Sequence, residues 1–448
     1  LSTILSANVY NSFWGTEERG TGLFTLLHFF LFYFMFVSVF VNWRVLFLRL
    51  AGISGIVMAT YVIYQTFYVS GFGERPVATL GNPGYVGSFL LFFVFFVPVL
   101  FFYEKRRMLR ILWSIAELVI VFSLVLNATR AAWLGLGASI VLCFLLLPAT
   151  GIRYKRYMYW IGVACLLMGL IIGVLAVGGN LPEGLYSKVP ILARVKGMSL
   201  VHNARILSWK AGLKGLGERP LFGYGLENYS IPFNKHYDVS LREYSALGGA
   251  LNFDKAHNVF IDVAVAGGLF GFIAYIFLFW TFGRAAWRGR NKIGSFLLLL
   301  LLAAYLVHNA FTFDTPVSYL LLMILFALIF LESVNQGESA PPTKKVRGGY
   351  PTIAAIVSPL MLIALGVSIG AVHIKSARAS RFAAIGNAIY EKPVEEVFNM
   401  YYQALELHSV YSFDIARYMG MDVLNRIDTY SKEQKDMLLY MANALEAG

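Results

Sequence analysis

The sequence predicts an all-α polytopic membrane protein, and three observations carry that class. Of 448 residues, 58% are hydrophobic and only 14% are charged, against roughly 25% charged in an ordinary soluble domain. Apolar runs such as residues 23–41 and 89–103 approach the ~20 residues that cross a bilayer as helix. None of these runs alternates with the period of two that marks a membrane barrel. A water-soluble fold is excluded.

Taken in order, the apolar runs and their breaks predict about ten spans, near residues 22–41, 50–69, 83–103, 111–127, 131–148, 157–177, 257–282, 296–313, 317–334 and 351–373. Basic residues near span ends stay on the cytoplasmic side, so the short loops orient the chain. One set of loops holds Arg44, Arg49, Lys105, Arg106, Arg107, Arg110, Arg153, Lys155, Arg156, Arg284, Arg288, Arg290, Lys292, Lys344, Lys345 and Arg347, which is 16. The opposite segments hold 3, namely Arg19, Arg75 and Arg130. The first set is therefore expected in the cytoplasm. The start of the chain, the long loop of residues 178–256 and everything after His373 are expected outside.

Two domains follow from this reading: a membrane domain over residues 1–373 that includes the loop, and an extracytoplasmic helical, repeat-like tail over 374–448. A loop as long as 178–256 points to function or disorder, and its content favours function. In the tail, Phe398, Tyr401, Tyr402 and Leu405 are spaced for one apolar helix face, with breaks at Ser412 and Ser431. Residues 335–342 read as a plain linker. The chain starts at Leu1 with a polar stretch before the first apolar run, so a preceding segment is expected and no signal peptide is read.

The net charge of +12 points to topology and phosphate-bearing partners, since no zinc-finger, RRM or helix-turn-helix pattern argues for nucleic acid. Cys143 and Cys165 both fall in apolar segments, which argues against a disulfide framework or a cysteine metal site. There is no P-loop, no H-E-x-x-H and no Asp-x-Asp in an outer loop, so chemistry without a metal or other cofactor is the expectation.

The long loop carries ten basic residues (Lys188, Arg194, Lys196, Arg205, Lys210, Lys214, Arg219, Lys235, Arg242, Lys255) against six acids. Outside the membrane this excess runs against the topology bias, and binding a phosphate or diphosphate explains it directly. Long loops also translocate regardless of charge, so charge alone leaves both explanations open. Wound as a helix, ARILSWKAGLKGL puts Arg205 on one side with Ile206, Trp209, Leu213 and Leu216, and puts Lys210 and Lys214 away from it. A guanidinium beside Trp209 suits a bidentate grip on phosphate, while the two lysines read as solvated. Arg130 lies in a short outer turn, NATRAAWLG, where it either anchors to headgroups or binds ligand; the small Ala128, Ala131 and Ala132 favour a ligand.

His257 is the sharpest residue. In FDKAHNVFIDVAVAGGLFG, Asp254 is placed to cap the entering helix, with His257 in its first turn and free backbone N–H groups nearby. The helix dipole there disfavours imidazolium, so a neutral base is expected; a boundary histidine satisfied by a carbonyl or water is the alternative. Glu117 reads as a packing acid or part of a proton path. His308, Asn309 and Asp314 either line the same cavity or cap a turn, and His28 reads as packing.

Four strings together resemble the O-antigen ligase and polymerase family: TLGNPGYVGSFL from Thr79, NATRAAWLG from Asn127, ARILSWKAGLKGLGERPLFGYGLENY from Ala204 and FDKAHNVFIDVAVAGGLFG from Phe253. The resemblance covers nearly all of the membrane part, and the tail resembles tetratricopeptide-type repeats found in some relatives. It implies a metal-independent, inverting glycosyltransferase at the outer face of the bacterial inner membrane, with no cofactor. The donor would be a glycan on a polyprenyl diphosphate, and the acceptor a lipid, a glycan or a protein. By matching motifs, His257 takes the base role and Arg130 and Arg205 the diphosphate role. Arg242 is a weaker diphosphate candidate, and Asp254, Asn258 and Trp209 are supporting residues. Ligase, polymerase and protein O-oligosaccharyltransferase remain open within the family. A lipid-glycan flippase would place its cations along a central cavity instead, and a scaffold would use the tail for partners.

Overall fold

The computed structural model describes residues 1–39, 44–71, 74–152, 155–188, 192, 204–242, 252–334, 366–367, 369–388, 394–412, 414–416 and 419. No strand occurs among them. The main helices are α1 (Leu23–Val39), α2 (Arg44–Tyr64), α3 (Pro83–Tyr103), α4 (Arg107–Asn127), α5 (Arg130–Leu146), α6 (Lys155–Val177), α7 (Ala204–Glu218), α8 (Val259–Arg288), α9 (Ile293–Asn309), α10 (Pro316–Val334), α11 (Lys375–Ala388) and α12 (Val394–Glu406). The chain is a polytopic helical membrane protein. Among the described residues, six stretches are long and apolar enough to cross a bilayer: Val45–Val69, Pro83–Tyr103, Arg107–Asn127, Arg130–Ala149, Val259–Arg288 and Pro316–Val334. Leu23–Ser38 and Ile293–Asn309 are shorter apolar helices. Helices accompany nine of the ten predicted spans; most of the tenth, 351–373, lies outside the described residues.

The ends differ from the prediction where a helix outlasts its apolar run. Helix α2 begins at Arg44 and α8 runs on to Arg288, and a long basic side chain suits such an end because its stem can lie along apolar surface while its head reaches water. Arg284 also lies over the Trp280 ring at 5.4 Å. Conversely, α9 stops at Asn309, and residues 310–315 form a turn at its C-terminal end.

Contacts divide the chain into two units: Leu1–Ser12 with Phe29–Lys345, and Phe13–His28 with Val346–Gly448. In the first, α3 and α10 are central, each with 67% of its apolar window buried, whereas α4, α5 and α8 bury between 22% and 33% and turn the rest outward. Phe92, Phe96 and Leu100 of α3, Leu301 and Tyr305 of α9 and Phe326 of α10 are core residues. Outward Ile115, Leu118, Leu145, Phe277 and Trp280 are exposed, as expected of surfaces whose solvent is lipid. Small residues let helices approach closely where hydrocarbon offers no drive for association. A Cβ on Gly135 of α5 would stand 2.4 Å from the Ala304 carbonyl oxygen of α9.

Helix α8 is broken at Gly268, with φ 62° and ψ −161°. The loop clasps the break: Tyr224 and Gly225 donate backbone N–H bonds to the Val265 and Ala266 carbonyls, and Leu269 donates to Pro220, at 2.8, 2.9 and 2.8 Å. A Cβ at Gly268 would meet the Leu221 carbonyl carbon at 2.4 Å. Gly268→Ala is therefore expected to destabilise the protein by at least the ~1–3 kcal/mol of a non-glycine residue in such a conformation. A thermal melt in detergent checks this, and an unchanged midpoint would contradict the clasp. The start of the chain braces the same loop, with Ala7 N–H on the Tyr224 carbonyl and the Asn228 amide on Ser12 Oγ, at 2.9 and 3.0 Å.

In the second unit, α11 and α12 pack through Ala379, Ala383, Val397, Tyr401 and Ala404. The buried stripe of α12 is thus 397, 401 and 404, and Tyr402, expected on that face, is 52% exposed. The turn after α12 falls at His408, which has φ 44°, and Ser412 already belongs to the next helical turn. Side-chain surroundings of Phe398 and the break expected at Ser431 lie outside the described residues.

Candidate functional site

Helix α4 ends at Asn127, Ala128 turns the chain with φ 53°, and Thr129 is the extended N-cap of α5, so Arg130 becomes the first residue of that helix. The turn is fastened to the start of α3. Asn127 Nδ2 and Thr129 Oγ1 donate to the Pro83 carbonyl at 3.0 and 2.9 Å, while Asn82 caps α3. Arg75 donates to Thr129 Oγ1 at 2.7 Å and to the Asn127 carbonyl at 3.3 Å. Thus the strings from Thr79 and from Asn127 form one structure, with Arg130 exposed at its rim.

Helix α7 buries Ser208, Ala211, Gly212 and Gly215. The packed face is therefore the small-residue face, and Ile206 and Leu213, expected on one apolar face with Arg205, are exposed together with Lys210 and Lys214. Close helix contact selects small side chains here, a preference that an apolar count along one face does not detect. Arg205 itself is half-buried and donates to the Phe311 carbonyl at 2.9 Å. Burial and the nearby Arg130 guanidinium together hold it below the ordinary arginine range. Two guanidinium groups that repel one another gain most from a shared anion. Arg242 is exposed, and among the described residues no contact brings it to this pair.

The cap of α8 also differs from expectation. Asn258, not Asp254, is the N-cap, its side-chain oxygen accepting the Phe260 and Ile261 N–H groups at 3.0 and 3.3 Å. His257 precedes the helix in the left-handed region, φ 54°. Four residues between Asp254 and the helix leave it too far back to cap, whereas Asn258 directly precedes the first helical residue. The imidazole stands edge-on to Phe313 at 4.8 Å and to Phe253 at 5.7 Å. Its Nδ1 faces the Lys255 carbonyl at 3.3 Å. A carbonyl only accepts, so Nδ1 is the nitrogen that donates here, and in a neutral imidazole Nε2 would then carry the lone pair. Trp209 Nε1 donates to the Ala256 carbonyl at 2.7 Å, which ties α7 to this segment.

Three of the four strings meet at the turn after α9, and the one from Asn127 is tied to them through Pro83. Phe311 accepts from Arg205, and Phe313 contacts both His257 and, at 6.0 Å, Tyr85 of α3. Asp314 braces the turn from below, accepting from Tyr305, Asn309 and Ser318 at 2.7, 2.9 and 2.9 Å. Of the two roles left open for Asp314, bracing is the one its bonds perform. Phe311, Phe313, Arg75, Glu227, Lys255 and Asp262 were given no individual site role in the sequence reading; the cluster of His308, Asn309 and Asp314 flagged the turn. No group of three or more His, Cys, Asp or Glu residues able to hold a metal occurs among the described residues.

The O-antigen ligase family pattern matches residues 115–276, which span Arg130, Arg205 and His257. The match covers about a third of the chain and makes this part similar to O-antigen ligases. The chain is 26% identical over 311 residues to a general O-oligosaccharyltransferase of Acinetobacter baylyi, covering 66% of this chain and 49% of the relative. A ComP-specific O-oligosaccharyltransferase of the same organism is 24% identical over 283 residues, covering 61% and 47%. An uncharacterized Haemophilus influenzae protein is 24% identical over 238 residues, covering 51% and 56%. The chain thus spans about half the length of these relatives.

Proposed function

We propose that this chain is a member of the O-antigen ligase family and transfers a glycan from a polyprenyl diphosphate to an acceptor hydroxyl at the outer face of the bacterial inner membrane. The observation that carries this reading is that Arg205 and His257 rest on one short turn, with the Arg130 charge acting on Arg205. An anion grip and a base then share one membrane boundary. Glycan transfer also accords with the names of the two Acinetobacter relatives, whose O-oligosaccharyltransferase label favours oligosaccharide moved as a block to an oxygen.

In this mechanism Arg130 and Arg205 hold the diphosphate. The acceptor oxygen attacks the anomeric carbon as its proton passes to His257 Nε2, and the bond from that carbon to the diphosphate oxygen breaks with inversion. The electron pair leaves on the diphosphate, where the guanidinium groups stabilise the growing charge. The products are glycosylated acceptor and free polyprenyl diphosphate, and the imidazolium then returns its proton to water. Giving the reconstituted chain a lipid-linked oligosaccharide, and identifying which molecule acquires sugar, tests the assignment. Sugar on a protein or lipid acceptor supports transfer as a block, a lengthened glycan on the carrier makes the chain a polymerase, and no transfer to any acceptor overturns the reading.

The same proposal places the loop and the tail outside, from the 16 to 3 split of short-loop basic residues. Cysteines replacing Lys235 and Glu433 are expected to label with an impermeant reagent in intact cells. Labelling only after permeabilisation would reverse the topology.

A further inference from the structure

We infer that Glu227, Lys255 and Asp262 form a buried polar support that positions His257; the inference rests on the reading of His257 as the base. Lys255 Nζ lies 2.6 Å from Glu227 Oε1, with the two side chains 15% and 2% exposed. Burial alone would lower the lysine pKa, but the carboxylates of Glu227 and Asp262 outweigh it and hold the pKa above the ordinary value, so the ammonium stays charged. An ion pair this dry is a poor source of stability, since both charges lose their water. Its location gives it another use.

Asp262, one turn into α8, accepts the Ala256 N–H at 2.6 Å. Trp209 holds the Ala256 carbonyl, and the Lys255 carbonyl takes His257 Nδ1. Residues 255 and 256 are therefore fixed through side chain, N–H and carbonyl together. That fixation holds His257 at φ 54°, a conformation that costs energy for any residue with a Cβ. Glu227, at φ 59°, is itself set by the loop that clasps the α8 break. The support thus transmits the loop's position to the imidazole. By keeping Nδ1 against a carbonyl, it favours the neutral tautomer in which Nε2 is the basic nitrogen. None of the three side chains needs to touch substrate, so they are positioning residues.

The test uses the full chain in lipid with a lipid-linked oligosaccharide donor. Asp262→Ala removes the acceptor for Ala256 and is expected to lower kcat at least tenfold while donor KM stays within about twofold, because the arginine grip is untouched. Asp262→Asn keeps an oxygen in place and is expected to recover most of that loss. Glu227→Gln, isosteric and still a partner for Lys255, provides a second route should the alanine variant fail to fold, and is expected to lower kcat with KM unchanged. In nitrogen-15 spectra the signal that disappears in His257→Ala is expected to report the Nδ1–H tautomer in the wild type and a mixture in Glu227→Gln. Unchanged kcat in folded Asp262→Ala or Glu227→Gln overturns the inference, as does a loss confined to KM or an unchanged tautomer. Measured alongside, near-normal transfer by His257→Ala would overturn the base reading itself. An inactive His257→Ala with fully active support variants would overturn the support alone.

Discussion

His257→Ala is expected to abolish glycan transfer while leaving expression and donor binding intact. A general base contributes on the order of 100- to 10,000-fold, and the loss belongs in turnover because the imidazole acts on the acceptor proton and not on the diphosphate. The structure narrows the expectation to one atom. Nδ1 is engaged by the Lys255 carbonyl, so Nε2 is the basic nitrogen, and His257→Gln, whose amide offers no comparable base, is expected to be as inactive as the alanine variant. A chelator is expected to change nothing, since the arginines supply the positive charge. Near wild-type transfer by the alanine variant, or arrest of the wild type by a chelator, would make His257 a helix-entry residue and nothing more.

The second large effect concerns the donor grip. Arg130→Ala and Arg205→Ala are each expected to weaken donor use ten- to a hundredfold, about 1.5–3 kcal/mol for a charge-assisted bond to phosphate. Arg205→Lys is expected to recover little, because a point charge cannot replace a planar fork that also reaches the Phe311 carbonyl. Lys210→Ala and Lys214→Ala, on the exposed face of α7, are expected to have no comparable effect. Donor titrations on the four variants check this, and equal small losses at all four would mean that the loop attracts anions only diffusely.

The membrane helices were legible because hydropathy acts locally. A run of apolar residues must leave water whatever lies beside it, and α3 keeps the limits read from its sequence, residues 83 and 103. The packing face of α7 was not legible, because small residues buried against a neighbour look polar or neutral in isolation. The cap of α8 was misplaced for a related reason: Asp254 and Asn258 are both good caps, and only the backbone path through Ala256 and His257 selects Asn258. The charged residues that support His257 lay in plain sight as Glu227, Lys255 and Asp262, but their partners come from segments 28 and 6 residues apart in sequence.

By itself, the sequence determined the helical membrane class, the basic asymmetry of its loops and the strings that hold Arg130, Arg205 and His257. These depend on composition and on neighbours along the chain. Tertiary structure alone decided that the turn at Phe311 and Phe313 joins Arg205 to His257, that the loop clasps the α8 break at Gly268, and that a buried ion pair stands behind the imidazole. Each is a contact between distant segments, whose energy depends on burial and on hydrogen-bond geometry, and both of those come into existence only when the chain has packed.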